Sequence, residues 1–381
     1  MGRMAKPTEL KELSDDVRDF LGDLTDWNLD VLELSELTNG RPLLVLSFAI
    51  VSHHELLLNI YCSNQTFSKF ISRIEAGYLK NPYHNNNHAA DVLNGCHHFV
   101  QVFGFKDVIT NHQMFSLLIS AAIHDFEHPG VSNNFLIRTK SSLAVQYNDD
   151  SVLERMHVAR AFAIMQEEGA QCNILKGVSN EDYVSIRRTI IETVMMTDLS
   201  KHLDYTARVR SMAANQKSAN MTNASVMLQI AIKSSDLGHC AKILPIHLKW
   251  TALITEEMYM QGDRERIMGL KVSAFCDRDH GDIPKSQVGF FTFIVNPFFS
   301  AIVDLDPRFE PIKTAVLENY KYWKQKFEGD KVMRRLSSAK LNTMRLIAIK
   351  ETEKKEEKVV VVVEGEEGGE AKVKVGEKTK E

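Results

Sequence analysis

Apolar residues recur every three or four positions along most of the chain, which is the spacing of one face of an α-helix. Three runs show it most clearly: Met114, Leu117, Leu118, Ala121 and Ala122; Val152, Met156, Ala159 and Ala163; and Ile190, Val194 and Met195. The nine prolines and 19 glycines lie mostly between such runs. The pattern therefore predicts an all-α fold.

Two helix starts can be predicted from local residues. Ser151 and Glu154 have the spacing of a capping box, in which the serine side chain binds the Glu154 amide and the glutamate side chain reaches back. Leu244-Pro245 begins a run that continues to about Arg266, with Pro245 suited to the first turn of a helix.

The composition changes along the chain and divides it into three parts. Residues 1–19 form a short polar leader, and residues 20–349 carry the helical pattern. The tail, residues 350–381, contains eight lysines and ten glutamates, which is typical of a disordered extension. Within it, the Val359–Val363 run could instead pair as a short strand.

Charge and cysteine content exclude several classes of protein. The formal net charge of −4 gives no basic surplus, so we expect no nucleic-acid polymer as a partner. No apolar run reaches the roughly 18 residues of a membrane span. The five cysteines are never arranged as CxxC, which argues against a disulfide scaffold or a cysteine-ligated zinc site and favours a reducing, cytoplasmic setting.

Histidines and aspartates suggest a metal centre. His84 and His88 are four residues apart, the spacing of one face of a helical turn, and His124-Asp125 and Asp236 follow later in the chain. Two imidazoles and two carboxylates suit zinc, manganese or iron. Because neighbouring side chains on a helix diverge, Asp125 could bridge towards a second ion while His124 binds the first.

Each of these residues also has an ordinary structural role. An isolated histidine is more often hydrogen-bonded in the core than bound to metal, and an His-Asp pair occurs often by chance. Asp236 could simply end its helix. Spacing alone therefore leaves the metal centre as one of two interpretations.

Longer motifs are more specific than the separate residues. The motif NPYHNNNHAAD at 81–91 resembles the signature of the class I cyclic nucleotide phosphodiesterases. Further blocks of that family follow in the same order: AIHDFEH at 122–128, YNDDSVLE at 147–154 with His157, Thr197-Asp198, SDLGH at 235–239 and KSQVGFFTFIV at 285–295. The resemblance covers about residues 20–345 and implies one catalytic domain of the HD type, entirely helical, with three subdomains.

The resemblance implies a metal site at matching positions. His88, His124, Asp125 and Asp236 are similar to zinc ligands, and Asp125 would bridge to a second ion, Mg²⁺ or Mn²⁺. The waters of that ion would be held by four further residues: His128, Glu154, His157 and Thr197. For Glu154 the alternative is the capping box, and for Thr197 it is a hydrogen bond back into its own helix.

The resemblance also implies an acid and a nucleotide pocket. His84 is similar to the general acid that protonates the leaving ribose O3′, and Glu257 to the carboxylate that orients this histidine. Five residues would bind the substrate: Tyr83, His239, Ile254, Gln287 and Phe290. Phe290 and Ile254 could equally be core residues.

The activity implied is hydrolysis of 3′,5′-cyclic AMP, cyclic GMP or both to the 5′-monophosphate, which would end cyclic nucleotide signalling. His239 leaves the base preference open, because cAMP-specific relatives usually have asparagine there and a dual-specificity subfamily has histidine. Two other functions are considered: a catalytically silent nucleotide-binding scaffold, and an HD-type hydrolase of nucleoside triphosphates. Relatives often dimerise, so a homodimer is compatible with the sequence.

Overall fold

The computed structural model describes residues 15–215, 223–332, 359–362 and 374–377. Contacts between residues divide the chain into two units, Met1–Trp323 and Lys324–Glu381. The domain boundaries expected from composition, at residues 20 and 350, stay predictions.

The described residues of the first unit form helices joined by turns and loops, which confirms the all-α class; the division into three subdomains stays a prediction. In chain order the helices are α1 Asp15–Phe20, α2 Val31–Leu37, α3 Pro42–His53, α4 Leu56–Asn59, α5 Asn64–Gly77, α6 Asn86–Val102, α7 Asn111–Ile123, α8 Asn133–Arg138, α9 Ser142–Gln146, α10 Val152–Gln166, α11 Asn180–Val194, α12 His202–Asn215, α13 Ala224–Asp236, α14 Leu244–Ile267, α15 Ile283–Phe290, α16 Asn296–Leu305 and α17, residues 310–323. A single π-helical turn, Phe291–Val295, separates α15 from α16.

The three apolar runs lie in α7, α10 and α11, except that Met195 is the residue that directly follows α11. For α10 the expected buried face is partly wrong, because Ala159 and Ala163 are exposed. The buried side of α10 includes Leu153, His157 and Ala161 instead. Small alanines fit either environment, and their spacing alone did not distinguish the two faces.

The predicted capping box at Ser151 is wrong. Ser151 has a left-handed backbone (φ 46°) and makes no side-chain cap; its hydroxyl donates instead to Asp198 Oδ2 at 2.7 Å. Glu154 is thereby free of the capping role. The other predicted start is confirmed, since Pro245 lies in the first turn of α14, which ends at Ile267.

Helix α6 runs through the core and packs against α3, α7 and α13. It lies close to α13 at Gly95, where an added Cβ would lie only 2.6 Å from Ser235 Oγ. Because α6 begins beside His88 and α13 ends at Asp236, this glycine lets the two helices come close enough to place those residues together.

A short stretch ahead of α2 is fastened by side chains from elsewhere in the unit. His97 Nδ1 donates to the carbonyl of Leu24 at 2.9 Å, and His98 Nδ1 to that of Thr25 at 2.6 Å. Asn94 donates to the carbonyl of Asp26 at 2.8 Å. These donors all come from α6, so residues 24–26 are part of its packing environment.

One helical stretch, Ile283–Leu305, is long and apolar enough to cross a membrane by length and composition, with 39% of its apolar window buried. A helix in a protein core passes the same test. Here Phe291, Phe298 and Ile302 are fully buried in the hydrophobic core. That no segment spans a membrane stays a prediction.

In the second unit, residues 324–332 are helical and two strands are described, β1 Val359–Val362 and β2 Lys374–Glu377. The strands pair antiparallel, with Val359 opposite Glu377. The strand alternative for the valine run is thus confirmed. The predicted disorder of the tail concerns residues that otherwise lie outside the described ones.

Candidate active site

The loop before α6 is organised by asparagines. Asn85 caps the helix, because its side-chain oxygen accepts hydrogen bonds from the backbone amides of Asn87 and His88. Its side-chain Nδ2 donates to the Asn81 carbonyl at 2.9 Å. His84 therefore precedes the helix. The expectation that His84 and His88 share one face of a helical turn is wrong, although their rings are only 5.8 Å apart.

Four side chains from three helices converge at one point. His88 lies in the first turn of α6, His124 and Asp125 directly follow α7, and Asp236 is the last residue of α13. Each offers a ligand atom within 4.8 Å of the others. His88 Nε2 is 3.1 Å from Asp236 Oδ1, and His124 Nε2 is 3.1 Å from Asp125 Oδ2. The sequence separates these residues by up to 148 positions, and the fold brings them together.

Hydrogen bonds determine which ring nitrogens face this point. His124 Nδ1 donates to the Ala121 carbonyl at 2.9 Å, and His157 Nδ1 donates to the Phe126 carbonyl at 2.5 Å. In the neutral rings each Nε2 therefore carries a lone pair. Both Nε2 atoms are buried without a hydrogen-bond partner and face the Asp125 carboxylate, at 3.1 Å and 3.7 Å.

Lone pairs and carboxylate oxygens that face one another in a buried site need a positive charge between them. The pKa values show the same preference. Burial would lower the pKa of His124, but Asp125 and Asp236 raise it well above its usual value. Burial would raise the pKa of Asp125, but the neighbouring histidines hold it well below its usual range. The residues present fit a bound cation.

A second group shares Asp125. Asp125, His128 and His157 also place ligand atoms within 4.8 Å of one another. Since one carboxylate oxygen of Asp125 faces His124 and the other faces His157, this residue can connect two ions.

Two other residues predicted near the second ion have protein partners. Glu154 accepts hydrogen bonds from Asn133 Nδ2 at 3.0 and 3.3 Å, and its pKa is raised to about 7, mainly by burial. Thr197 donates to the Val194 carbonyl at 2.8 Å, the back-bonded alternative. Their contribution to holding water stays a prediction.

His84 is clamped by Glu257 from α14. His84 Nδ1 lies 2.5 Å from Glu257 Oε1, while Oε2 accepts the backbone amides of Tyr83 and His84 at 2.8 and 2.9 Å. Burial is the largest single influence and would lower the pKa of His84, but the charges of Glu257, Asp125 and Asp236, together with the Glu257 hydrogen bond, outweigh it and raise the pKa to about 9. The imidazole is therefore a cation at neutral pH.

His128 stacks on His84, with ring centroids 4.1 Å apart. Its Nδ1 accepts the Gly130 amide at 3.0 Å, and burial together with the charge of His84 lowers its pKa well below the usual value. A neutral ring thus lies against the charged one, which leaves the cation on His84.

The residues predicted to bind a nucleotide fall into two groups. Tyr83 packs with Trp250 and Ile246, and Ile254 lies against the same cluster. Gln287 and Phe290 lie on α15; the Gln287 Oε1 atom is buried without a hydrogen-bond partner, and Phe290 is partly buried against the main core. The neighbouring phenylalanines differ in exposure: Phe291 is fully buried, and Phe293 is 70% exposed.

His239 is buried and stacks on His247, with ring centroids 5.1 Å apart. With Cys240 these two form a further group of metal-ligand types. However, His247 Nε2 already accepts a hydrogen bond from Trp323 Nε1 at 2.7 Å. All five cysteines of the chain are free and buried, which confirms that it has no disulfide scaffold.

Sequence reasoning missed several residues that shape the site. Asn133 holds Glu154, and Trp250 lies 6.0 Å from the His88 ring. Neither stands in a block quoted for the resemblance, and no local pattern marks them. Asn81 stands inside the first block, but its role depends on contacts that only the fold reveals.

The chain is similar to known proteins of one family. The family model described as 3′5′-cyclic nucleotide phosphodiesterase matches residues 83–316. The 3′,5′-cyclic-AMP phosphodiesterase 4C of Rattus norvegicus is 37% identical over 294 residues, covering 75% of this chain and 54% of the relative. The 3′,5′-cyclic-AMP phosphodiesterase isoform F of Drosophila melanogaster is 35% identical over 314 residues, covering 80% and 47%.

A third relative has a broader name. The dual specificity calcium/calmodulin-dependent 3′,5′-cyclic nucleotide phosphodiesterase 1C of Mus musculus is 36% identical over 291 residues, covering 76% of this chain and 41% of the relative. The chain thus spans about half of the length of these relatives. From the matched segment and these identities, the chain belongs to the 3′,5′-cyclic nucleotide phosphodiesterase family.

Proposed function

We propose that this protein hydrolyses 3′,5′-cyclic nucleotides to 5′-monophosphates, using an acid and a metal centre that lie side by side. The observation that carries the proposal is the convergence of His88, His124, Asp125 and Asp236 on one point, with the His84 ring beside them, its centroid 5.8 Å from that of His88. A cyclic phosphodiester needs both an activated water and a protonated leaving group, and this arrangement can provide for both.

The four converging residues would hold Zn²⁺, since two imidazoles and two carboxylates are its usual ligand types. Asp125 would share a second ion, Mg²⁺ or Mn²⁺, whose waters His128, His157, Glu154 and Thr197 would bind. Such ions, when bound, polarise a phosphate and lower the pKa of water. The chain's own contribution is to fix the tautomers of His124 and His157, so that bare nitrogens face the ions.

His84 would act as the general acid. Because its Nδ1 is bound to Glu257, its Nε2 proton is the one available to substrate. Water forms the new bond to phosphorus and releases one proton to solvent, the bond from phosphorus to O3′ breaks, and the Nε2 proton goes to O3′. A proton from solvent then restores the imidazolium form of His84. Without that proton the ribose alkoxide would be a poor leaving group, and general acids of this kind contribute about 10²–10⁴-fold.

Gln287 would bind the purine. Its unpartnered Oε1 is a buried acceptor, and a buried polar atom without a partner is costly unless a ligand satisfies it. An amide can pair with adenine or guanine after a flip, so this residue fits both bases. Phe290 would stack on the base, Tyr83 and Ile254 would line the pocket, and His239 would lie at the purine edge.

The direct test is to measure hydrolysis of cAMP and cGMP side by side, with Mg²⁺ or Mn²⁺ added and with EDTA as the control. We expect 5′-AMP, 5′-GMP or both, and no turnover after EDTA. Release of a 3′-monophosphate, or turnover that survives complete removal of metal, would overturn the proposal. The same assay with nucleoside triphosphates tests the HD-type alternative.

A further inference from the structure

The side-chain amide of Asn81 joins two loops of the active site. Its Nδ2 donates one hydrogen bond to the His84 carbonyl at 2.9 Å and another to the His128 carbonyl at 2.7 Å. Both hydrogens of the amide are therefore used. One loop carries the proposed acid, and the other continues from Asp125, whose carbonyl accepts the His128 amide at 3.0 Å.

The other end of the amide lies close to Gly130. Gly130 has a left-handed backbone (φ +70°), and a Cβ there would lie 2.7 Å from Asn81 Oδ1. Its amide also donates to His128 Nδ1. The close approach of the amide to this turn therefore requires glycine, and it places the planar group of Asn81 directly between the two loops.

We propose that Asn81 is a positioning residue for the reaction: by holding the carbonyls of His84 and His128 on one amide, it sets the distance between the acid and the metal centre. This inference rests on the proposed function, because it concerns how His84 meets the leaving oxygen. The 4.1 Å stack of the two rings is the visible result of that spacing.

Other side chains cannot supply the same contacts. Aspartate has the shape of asparagine but, when ionised, no hydrogen to donate, and its oxygens would face two carbonyl oxygens. Serine offers one donor and alanine none. Glu257 would still hold the His84 ring in these variants, so the loss concerns where the clamped ring lies relative to Asp125 rather than its charge.

The test is a double-mutant cycle with Asn81→Ala, His84→Ala and the double variant, assayed on whichever cyclic nucleotide the wild-type protein hydrolyses. A displacement of about 1 Å can cost about 10²-fold, so Asn81→Ala should lower kcat about 10- to 100-fold with KM and zinc content nearly unchanged. If Asn81 acts through His84, the double variant should match His84→Ala within about twofold.

A merely structural role predicts a different result. Asn319 is the matched control, since its buried Nδ2 also donates to two carbonyls, those of Cys240 and Lys242, at 2.9 and 2.8 Å. In a double variant, the fold-losses of kcat from Asn319→Ala and from His84→Ala should multiply. If the losses from Asn81→Ala and His84→Ala also multiply, or if Asn81→Ala leaves kcat unchanged, the inference is wrong.

Two further measurements keep the outcome decisive. Should Asn81→Ala fail to fold, Asn81→Ser, which keeps one donor, replaces it in the cycle and should give a smaller loss of kcat. If the wild-type protein turns over neither nucleotide, the proposed function is wrong. If the wild-type protein is active but the losses of kcat from Asn81→Ala and His84→Ala multiply in the double variant, only the role given to Asn81 is wrong.

Discussion

Glu257 binds His84 through both of its carboxylate oxygens, one on the imidazole Nδ1 at 2.5 Å and the other on the backbone amide at 2.9 Å. The residue thereby fixes the position of the ring and its charge together. A carboxylate that made only the ring contact would leave the His84 amide without this acceptor.

The first prediction concerns this charge. The pKa of His84 is raised to about 9, so the imidazolium form is present at neutral pH and is lost as the pH rises through that value. Activity that needs the acid form should fall over the same range. In Glu257→Gln the negative charge is gone while the burial remains, so the pKa of His84 should fall and activity should be lost at lower pH.

The measurement is the pH profile of kcat/KM for wild type and Glu257→Gln. We expect the alkaline limb to move down by about two to three pH units, and kcat/KM at pH 8 to fall about 10- to 100-fold as the protonated fraction of His84 falls. The control is Glu256→Gln, since Glu256 is the adjacent acid and pairs with Arg278 on the surface. An alkaline limb at the same pH in Glu257→Gln would disprove the role given to this carboxylate.

The second prediction concerns Asp125. Its two oxygens face His124 and His157 respectively, so Asp125→Asn replaces one charged ligand oxygen with an amide at the point shared by two groups. We expect loss of the second ion and a fall in kcat of at least about 10²-fold, because in the proposed mechanism the ions held by Asp125 would activate water. Metal analysis and circular dichroism provide the readouts, and helix content should be unchanged.

Glu127→Gln is the matched control for Asp125, because Glu127 lies two residues further on and pairs with Arg160 outside the metal groups. Its metal content should equal that of wild type. Near-normal turnover in Asp125→Asn would contradict the shared position of this carboxylate.

The third prediction separates binding from stability. Gln287 Oε1 has no partner in the protein, so Gln287→Ala removes an unsatisfied acceptor and should change the free energy of unfolding by less than about 0.5 kcal/mol. The KM for cyclic nucleotide should rise about five- to tenfold, because the substrate loses one hydrogen bond to the protein.

Gln261 provides the contrast. It is also buried, but it accepts the Ser132 amide at 2.8 Å and donates to Glu265 at 3.3 Å. Gln261→Ala should therefore cost about 1–3 kcal/mol of stability. Thermal unfolding and steady-state kinetics measure both effects; a large stability loss in Gln287→Ala would mean that its amide serves the fold.

The fourth prediction tests the contact between α6 and α13. In Gly95→Ala the new methyl group would meet Ser235 at 2.6 Å, so the helices must separate. Overpacking of this kind costs about 1–3 kcal/mol, which exceeds the gain of about 1 kcal/mol from better helix propensity. Because His88 and Asp236 lie on these helices, zinc content should fall as well.

Gly289→Ala is its control, since nothing lies within 4 Å of a Cβ at that helical position. That variant should be as stable as wild type or slightly more stable. Equal thermal stability and equal zinc content in Gly95→Ala would show that the helix contact can relax without moving the ligands.

Much of the fold and the composition of the site could be predicted from the sequence. Helical periodicity places α7, α10 and α11, and the ordered motifs name the residues that converge around Asp125. Neither source of information describes backbone conformation. Ser151 adopts a left-handed conformation that serine rarely takes, so the capping box expected there could not be excluded from residue types.

The position of His84 shows the same limit more sharply. A spacing of four suggested a helical turn with His88, yet Asn85, a residue type favoured at helix starts, lies between them and begins α6 after His84. The Asn85 cap could have been predicted from residue type. The two hydrogen bonds from Asn81 could not, because one of them reaches His128, 47 residues further along the chain, and depends on how the fold places the two loops.

The fastening of residues 24–26 to α6 has a consequence for any shortened version of the protein. The segment matched by the family model begins at residue 83, yet three donors on α6, namely His97, His98 and Asn94, are satisfied only by carbonyls some 70 positions earlier. A shortened protein that began at residue 83 would leave these donors in α6, the helix that carries His88, without their acceptors. A shortened version that keeps these three hydrogen bonds therefore has to include residues 24–26.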